Sequence, residues 1–359
     1  MIAFNLTIIL LFMLLLPSVV KSCKNSNIVD ILNKDSALTL RGIAIIVIVL
    51  HHFSQYFENL GILQTPIQQC GYAVTAVFFF FSGYGCFCSY RRYRGLRGKQ
   101  KIKFSSLWFL KHSFRLYVDF LIIYAINLIL IFVFKTEDIT LGEAIKNLFT
   151  ITLPGWVSWY PKIQILCYFI LSITYIVSDK NKTHLTLCII LLYIIIAYFL
   201  KLQSMWYTSV ICFPLGMLVA ERLPKTKDNK NRHIVVFLVS SLVFAGLFFL
   251  QMRIHPSVVR LTSSLLIPLI VTAATGIVQF KSRILSKLGQ WSFEIYLIHL
   301  IILRIMINSA PNAITMNSNL SLIIILVISV LLGWIVNKAA VFISENVFSN
   351  LKTKAKRSE

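Results

Sequence analysis

Apolar residues in this chain fall in long, nearly unbroken runs rather than at alternating or amphipathic spacing. Eleven segments approach the ~20 residues that an α-helix needs to cross a bilayer: about 2–20, 38–57, 70–90, 114–134, 163–178, 184–200, 205–220, 234–252, 258–279, 291–310 and 319–337. The stretches between them are short and polar. Backbone groups in lipid must be satisfied within their own segment, so the pattern predicts an all-α, polytopic integral membrane helix bundle. No internal repeat, Pro-rich linker or low-complexity tract interrupts it. The expected organisation is a membrane helix with a cytoplasmic linker at 1–35, a membrane domain at 36–340 and a basic cytoplasmic tail at 341–359. The first segment, MIAFNLTIILLFMLLLPSVVK, has the length of a signal peptide but lacks a basic n-region and a small-x-small site before Lys21. It reads as an additional spanning helix with its N-terminus outside.

Composition agrees with this pattern. The 359 residues are 57% hydrophobic and 13% charged, with a mean hydropathy of +0.79, which excludes an ordinary soluble domain. The formal charge of +22 could suggest nucleic-acid binding, but the Lys and Arg residues cluster between apolar runs rather than along one face. If segment 38–57 runs from inside to outside, most of these residues fall on the inner side, including the cluster from Arg91 to Arg115 and the tail from Lys352 to Arg357. The C-terminus is then cytoplasmic under the positive-inside rule. The seven cysteines lie mostly within spans, so neither a disulfide framework nor a metal site is expected.

Three groups of polar residues stand out inside the apolar pattern. Arg41 and His52, in LRGIAIIVIVLHHF, are separated by about 1100° of helical rotation and ~16 Å of rise, so they share one face. Arg41 can be a snorkelling topology anchor or a ligand contact, whereas a histidine within a span favours a functional path. His51 is turned ~100° from His52 and reads as a packing or interfacial residue. In KHSFRLYVDF, the residues His112, Arg115 and Asp119 also share a face. An Arg115–Asp119 ion pair and a ligand-binding role both fit. A neighbouring loop with Arg91, Arg92, Arg94, Arg97, Lys99, Lys101 and Lys103 would attract a polyanionic ligand or anionic membrane lipid. In GQWSFEIYLIHL, the residues Ser292, Tyr296 and His299 form one stripe, with Glu294 off it. The small residues of FFFFSGYG allow close helix approach or a local break. Trp156, Trp159 and Trp206 fit an outer aromatic belt or a sugar-stacking platform.

Taken together, these segments resemble the acyltransferase-3 family over about residues 36–337. LRGIAIIVIVLHH is similar to the family's Arg-x10-His signature, FFFFSGY to its FF-x-x-SG-(F/Y) segment, and LGQWSFEIYLIHL to its LG-x-x-S-x-x-(I/L)YL-x-H segment. GWVSWYPKIQILCYF resembles its Trp- and Tyr-containing approach to a later helix. The Arg-x-x-Arg signature maps onto His112 to Arg115, so Arg115 matches and His112 departs, with Lys111 as a nearby substitute for the missing cation.

The resemblance implies a ten-helix core, to which the first segment is an addition. It also implies an O-acyltransferase moving an acyl group, expected to be acetyl, from cytoplasmic acyl-CoA to a hydroxyl of an extracytoplasmic glycan or glycolipid acceptor of the cell envelope. Arg41, Arg115, His112 and Lys111 would bind the coenzyme A phosphates. His52 would act at the thioester as base or nucleophile, with Tyr296, Ser292 and His299 orienting the acceptor or donating to the oxyanion. The rival is a transporter or flippase of a lipid-linked glycan, with the same His and Arg residues lining a passage. A purely structural membrane partner is the third alternative.

Overall fold

The computed structural model describes residues 20–22, 32–57, 64–93, 95–154, 159–222, 229–254, 256–309 and 318–357. Within them are thirteen α-helices: α1 Lys34–Ser54, α2 Gln64–Gln69, α3 Gly71–Arg91, α4 Gly98–Phe134, α5 Leu141–Phe149, α6 Trp159–Val177, α7 Lys182–Phe199, α8 Cys212–Arg222, α9 Lys230–Ile254, α10 Ser257–Ile277, α11 Arg283–Gln290, α12 Ser292–Ser309 and α13 Ser318–Arg357. A three-residue strand β1, Val20–Ser22, pairs antiparallel with β2, Val278–Phe280. Eight helices (α1, α3, α4, α6, α7, α9, α10 and α13) are long and apolar enough to cross a membrane, and α11 and α12 meet the same test only when joined. The chain is an all-α polytopic membrane bundle. The span expected at 2–20 lies outside the described residues except for Val20, which opens β1, and most of the linker that follows also lies outside them.

Three local expectations change. Segment 205–220 is not one spanning helix: a 3-10 turn at Ser204–Trp206 and a run of turns precede α8. Pro214 sits in the first turn of α8, where its missing N–H costs nothing, but a helix continuing on its N-terminal side would lose a hydrogen bond there. The 11-residue α8 rises only ~16 Å. FFFFSGYG does not break its helix, since α3 runs uninterrupted through it. The basic stretch before residue 114 is largely helix rather than loop. Gly95 and Gly98, both at positive φ, turn the chain, and α4 then runs for 37 residues, ~55 Å, well beyond the hydrocarbon thickness of ~30 Å.

The helices form two compact units, residues 1–96 with 177–290 and residues 97–176 with 291–359. Between helices in lipid, close van der Waals approach replaces the hydrophobic effect as the source of packing energy, and glycines provide it in the first unit. A Cβ on Gly83 would overlap the carbonyl of Phe213, and one on Gly216 would overlap that of Phe80, so α3 and α8 meet backbone to backbone. Gly42 and Gly289 do the same for α1 and α11, against the carbonyls of Leu285 and Leu38. Ser36 and Thr39 reinforce that seam through Phe280 N–H at 3.2 Å and the Ser286 hydroxyl at 3.0 Å. Helices α1, α2, α3, α9 and α10 also border an apolar cavity of about 430 Å³.

A Gly216→Val protein is therefore expected to lose about 3 kcal/mol, the upper part of the usual overpacking range. Gly85→Ala, whose Cβ meets nothing within 4 Å, serves as the silent control. Thermal unfolding in detergent separates the two; equal midpoints would show that the α3–α8 approach is not tight.

In the second unit, Ser105 Oγ donates to the Ser172 carbonyl at 2.9 Å and Lys101 Nζ caps the C-terminal end of α6 at the Ile176 carbonyl, also at 2.9 Å. Lys101 is thus held by the fold rather than free to join a basic cluster. The short helix α5 has no buried residue and opens with a capping box between Thr140 and Glu143. The Thr140 main-chain N–H and hydroxyl donate to the Glu143 carboxylate and hold it below its ordinary pKa.

Candidate functional site

In the first unit, α1 carries both Arg41 and His52 on one uninterrupted helix. Its start is fixed by the Asn33 side chain, which accepts from Ser36 N–H at 2.7 Å, and by the glycine seam beside Arg41. The continuous helix keeps the shared face that the spacing predicts, with Arg41 and His52 both half-buried.

The other end of α1 holds more than helical phase shows. His51 is buried, and its Nδ1 lies 3.1 Å from the Ile67 carbonyl of the α2 segment. Its Nε2 lies 3.3 Å from Gln55 Nε2, while Gln55 Oε1 lies 3.2 Å from His52 Nδ1. The two imidazole rings meet edge to face at 4.7 Å. Gly71 makes room for this arrangement, since a Cβ there would collide with the His51 ring. His51 is therefore tied to His52 through Gln55, not set apart from it. Adjacent residues at a helix end can share a bridging side chain three and four positions further on even when their own directions diverge, and only the polar glutamine following the histidines hinted at this.

In the second unit, α4 presents His112 and Arg115 differently. His112 stacks on the Trp108 indole at 4.0 Å and donates from Nδ1 to the Trp108 carbonyl at 2.8 Å, with Tyr168 edge-on at 5.9 Å. Lys111 is exposed. Arg115 donates from Nε to Asp119 Oδ2 at 3.0 Å, and from Nη2 to Glu294 Oε1 and to the Asn337 carbonyl, both at 3.2 Å. Asn337 Nδ2 also donates to Glu294 Oε1, at 2.7 Å. The expected Arg115–Asp119 pair is thus part of a larger cluster. Sequence reading missed Glu294 and Asn337; the available signal was a carboxylate in an otherwise apolar span, which needs a partner.

Of the expected α12 stripe, Tyr296 and His299 are ring neighbours at 5.9 Å. Both are buried, as is Ser292. His299 Nδ1 donates to the Ile295 carbonyl at 3.0 Å. Tyr160 packs edge-on against Tyr296 at 5.4 Å, and the buried Trp159 packs against Tyr160 at 5.8 Å. GWVSWYPK therefore buries two of its aromatics, with Tyr160 packed on α12 and Trp159 against Tyr160, rather than leaving them in an interfacial belt; Trp156 lies outside the described residues. Each unit thus holds its own polar group. One is a histidine–glutamine–histidine array at the end of α1, and the other is an arginine–carboxylate cluster with an aromatic row on α4, α6 and α12.

Comparison with curated proteins and with solved structures gives no match. Residues 37–338 match the acyltransferase domain that defines the acyltransferase-3 family. That match spans Arg41, His52, Arg115 and the α12 stripe together, and the chain belongs to the acyltransferase-3 family of membrane acyltransferases.

Proposed function

We propose that this protein transfers an acyl group, acetyl in the simplest case, from acyl-CoA to a hydroxyl of an extracytoplasmic glycan or glycolipid. The reading is carried by one observation: the Arg41–His52 signature lies on a single unbroken helix inside the matched family domain. The neutral imidazole of His52 takes the proton of the acceptor hydroxyl as that oxygen attacks the thioester carbonyl. The carbon–sulfur bond then breaks, the new ester forms, and the coenzyme A thiolate receives the proton.

Arg41 and Arg115 are the proposed phosphate ligands. The cluster around Arg115 engages three of a guanidinium's five N–H donors through Nε and Nη2. It holds the planar group in place, so a phosphate contact here falls to the two remaining N–H donors on Nη1 and not to a fork of two nitrogens. Trp108 holds His112 flat, so Lys111, exposed four residues before Arg115, is the better substitute for the missing family arginine.

Incubating purified protein with acyl-labelled acyl-CoA and a glycan acceptor tests this. Label should pass to the acceptor, or to water when no acceptor is supplied. Retention of all label on coenzyme A, together with movement of a lipid-linked glycan across vesicles, would establish the transporter instead.

A further inference from the structure

The hydrogen-bond chain at the end of α1 has a direction that its donors and acceptors dictate. A carbonyl oxygen cannot donate, so the contact from Ile67 O to His51 Nδ1 at 3.1 Å requires the proton on Nδ1. In the neutral ring the other nitrogen, Nε2, is then an acceptor. Gln55 must therefore present its amide –NH₂ to His51 Nε2, at 3.3 Å, and its oxygen to His52. That oxygen, 3.2 Å from His52 Nδ1, can only accept, so His52 carries its proton on Nδ1 and its lone pair on Nε2. The amide could not be reversed without placing its oxygen against a His51 nitrogen that has no hydrogen to give.

We propose that Gln55 and His51 are positioning residues that lock His52 in its Nδ1–H tautomer, leaving Nε2 as the base that accepts the acceptor's proton. The proposal rests on the catalytic role given above to His52, and it makes the main-chain carbonyl of Ile67 the fixed end of the relay. A base whose second ring nitrogen is committed to a hydrogen-bond acceptor is the same arrangement by which an oriented imidazole serves acyl transfer in hydrolytic triads. Here the acceptor is a neutral amide. The ring is oriented without a carboxylate charge beside it, and the tautomer information comes from the backbone two links away. His51 turns ~100° from His52 yet matters to it, because the glutamine four residues later on the helix bridges back.

The test is ¹⁵N NMR of the full chain with ring-labelled histidines, His52 being assigned by its disappearance in His52→Ala. Wild-type His52 should show a protonated Nδ1 and a pyridine-type Nε2. In Gln55→Leu the Nε2–H form should appear, with kcat down about tenfold or more and the donor KM within about twofold, since only the chemical step is served. Gln55→Glu, which keeps an acceptor oxygen for His52, should retain the Nδ1–H form and exceed the leucine variant in kcat. A wild-type Nε2–H tautomer overturns the proposal, and that spectrum decides even if Gln55→Leu fails to insert. So does an unchanged tautomer and kcat in a folded Gln55→Leu protein. Full activity in His52→Ala would instead remove the catalytic assignment, while the spectra would still decide whether the relay exists.

Discussion

His52→Ala is expected to abolish acyl transfer, lowering kcat about 100-fold or more, the usual contribution of a positioned general base. Acyl-CoA binding should change little, because Arg41 lies ~16 Å away along the same helix and its anchoring seam with α11 does not involve His52. The Ser54 hydroxyl donates to the His51 carbonyl at 2.8 Å and Gln68 donates to the Ser54 carbonyl at 3.4 Å, so the helix end remains tied down without the imidazole. His51→Ala should lose less than His52→Ala, since it removes one link of the relay and leaves the base present. Steady-state kinetics with labelled donor, alongside equilibrium donor binding, separates these outcomes. A merely twofold fall in kcat for a stably inserted His52→Ala protein would eliminate the catalytic assignment and bring the transporter forward.

Much of this architecture was legible because membrane helices leave a strong signal: backbone satisfaction forces long apolar runs, and most of those runs became helices near the expected positions. What the runs could not show is where a helix continues past the bilayer. Lys99 and Lys103 lie on α4, because nothing after Gly98 breaks the helix and water solvates lysines as readily there as in a loop. Segment 205–220 misled for the opposite reason, since hydropathy does not register the turns before Pro214. The site was legible wherever a face is fixed by spacing on one helix, as for Arg41 with His52, and for Arg115 with Asp119. It was not legible where partners are distant in sequence. Glu294 and Asn337 reach Arg115 from α12 and α13, and Tyr160 reaches Tyr296 from α6. Helical phase assigns each of these residues a face on its own helix but says nothing about which helix that face meets.

Arg115→Ala should destabilise the protein by about 3 kcal/mol, the lower end of the range for breaking a buried ion pair. Asp119 and Glu294 are each 2% exposed, and one guanidinium serves both. Asp119 Oδ1 and Glu294 Oε2 already lack hydrogen-bond partners among the described residues. Removing the arginine leaves two carboxylates with only the Asn337 amide for company, and an unpaired buried charge costs more than the pair itself gains. The Arg115 side chain is 24% exposed, so the cluster is not sealed inside the protein, which keeps the loss from the top of that range. Arg115→Lys should lose less stability, because an ammonium still supplies charge, but it cannot reproduce the fork between Asp119 and Glu294.

The combined variant Arg115→Leu, Asp119→Asn, Glu294→Gln carries no charge to strand and should recover most of the midpoint lost by Arg115→Ala in detergent thermal unfolding. That recovered protein is the one in which to measure acyl-CoA affinity. If it folds and binds the donor as wild type does, Arg115 belongs to the frame of its own unit and not to the donor site. If it folds and binds weakly, the same guanidinium holds both the two carboxylates and a phosphate of the donor.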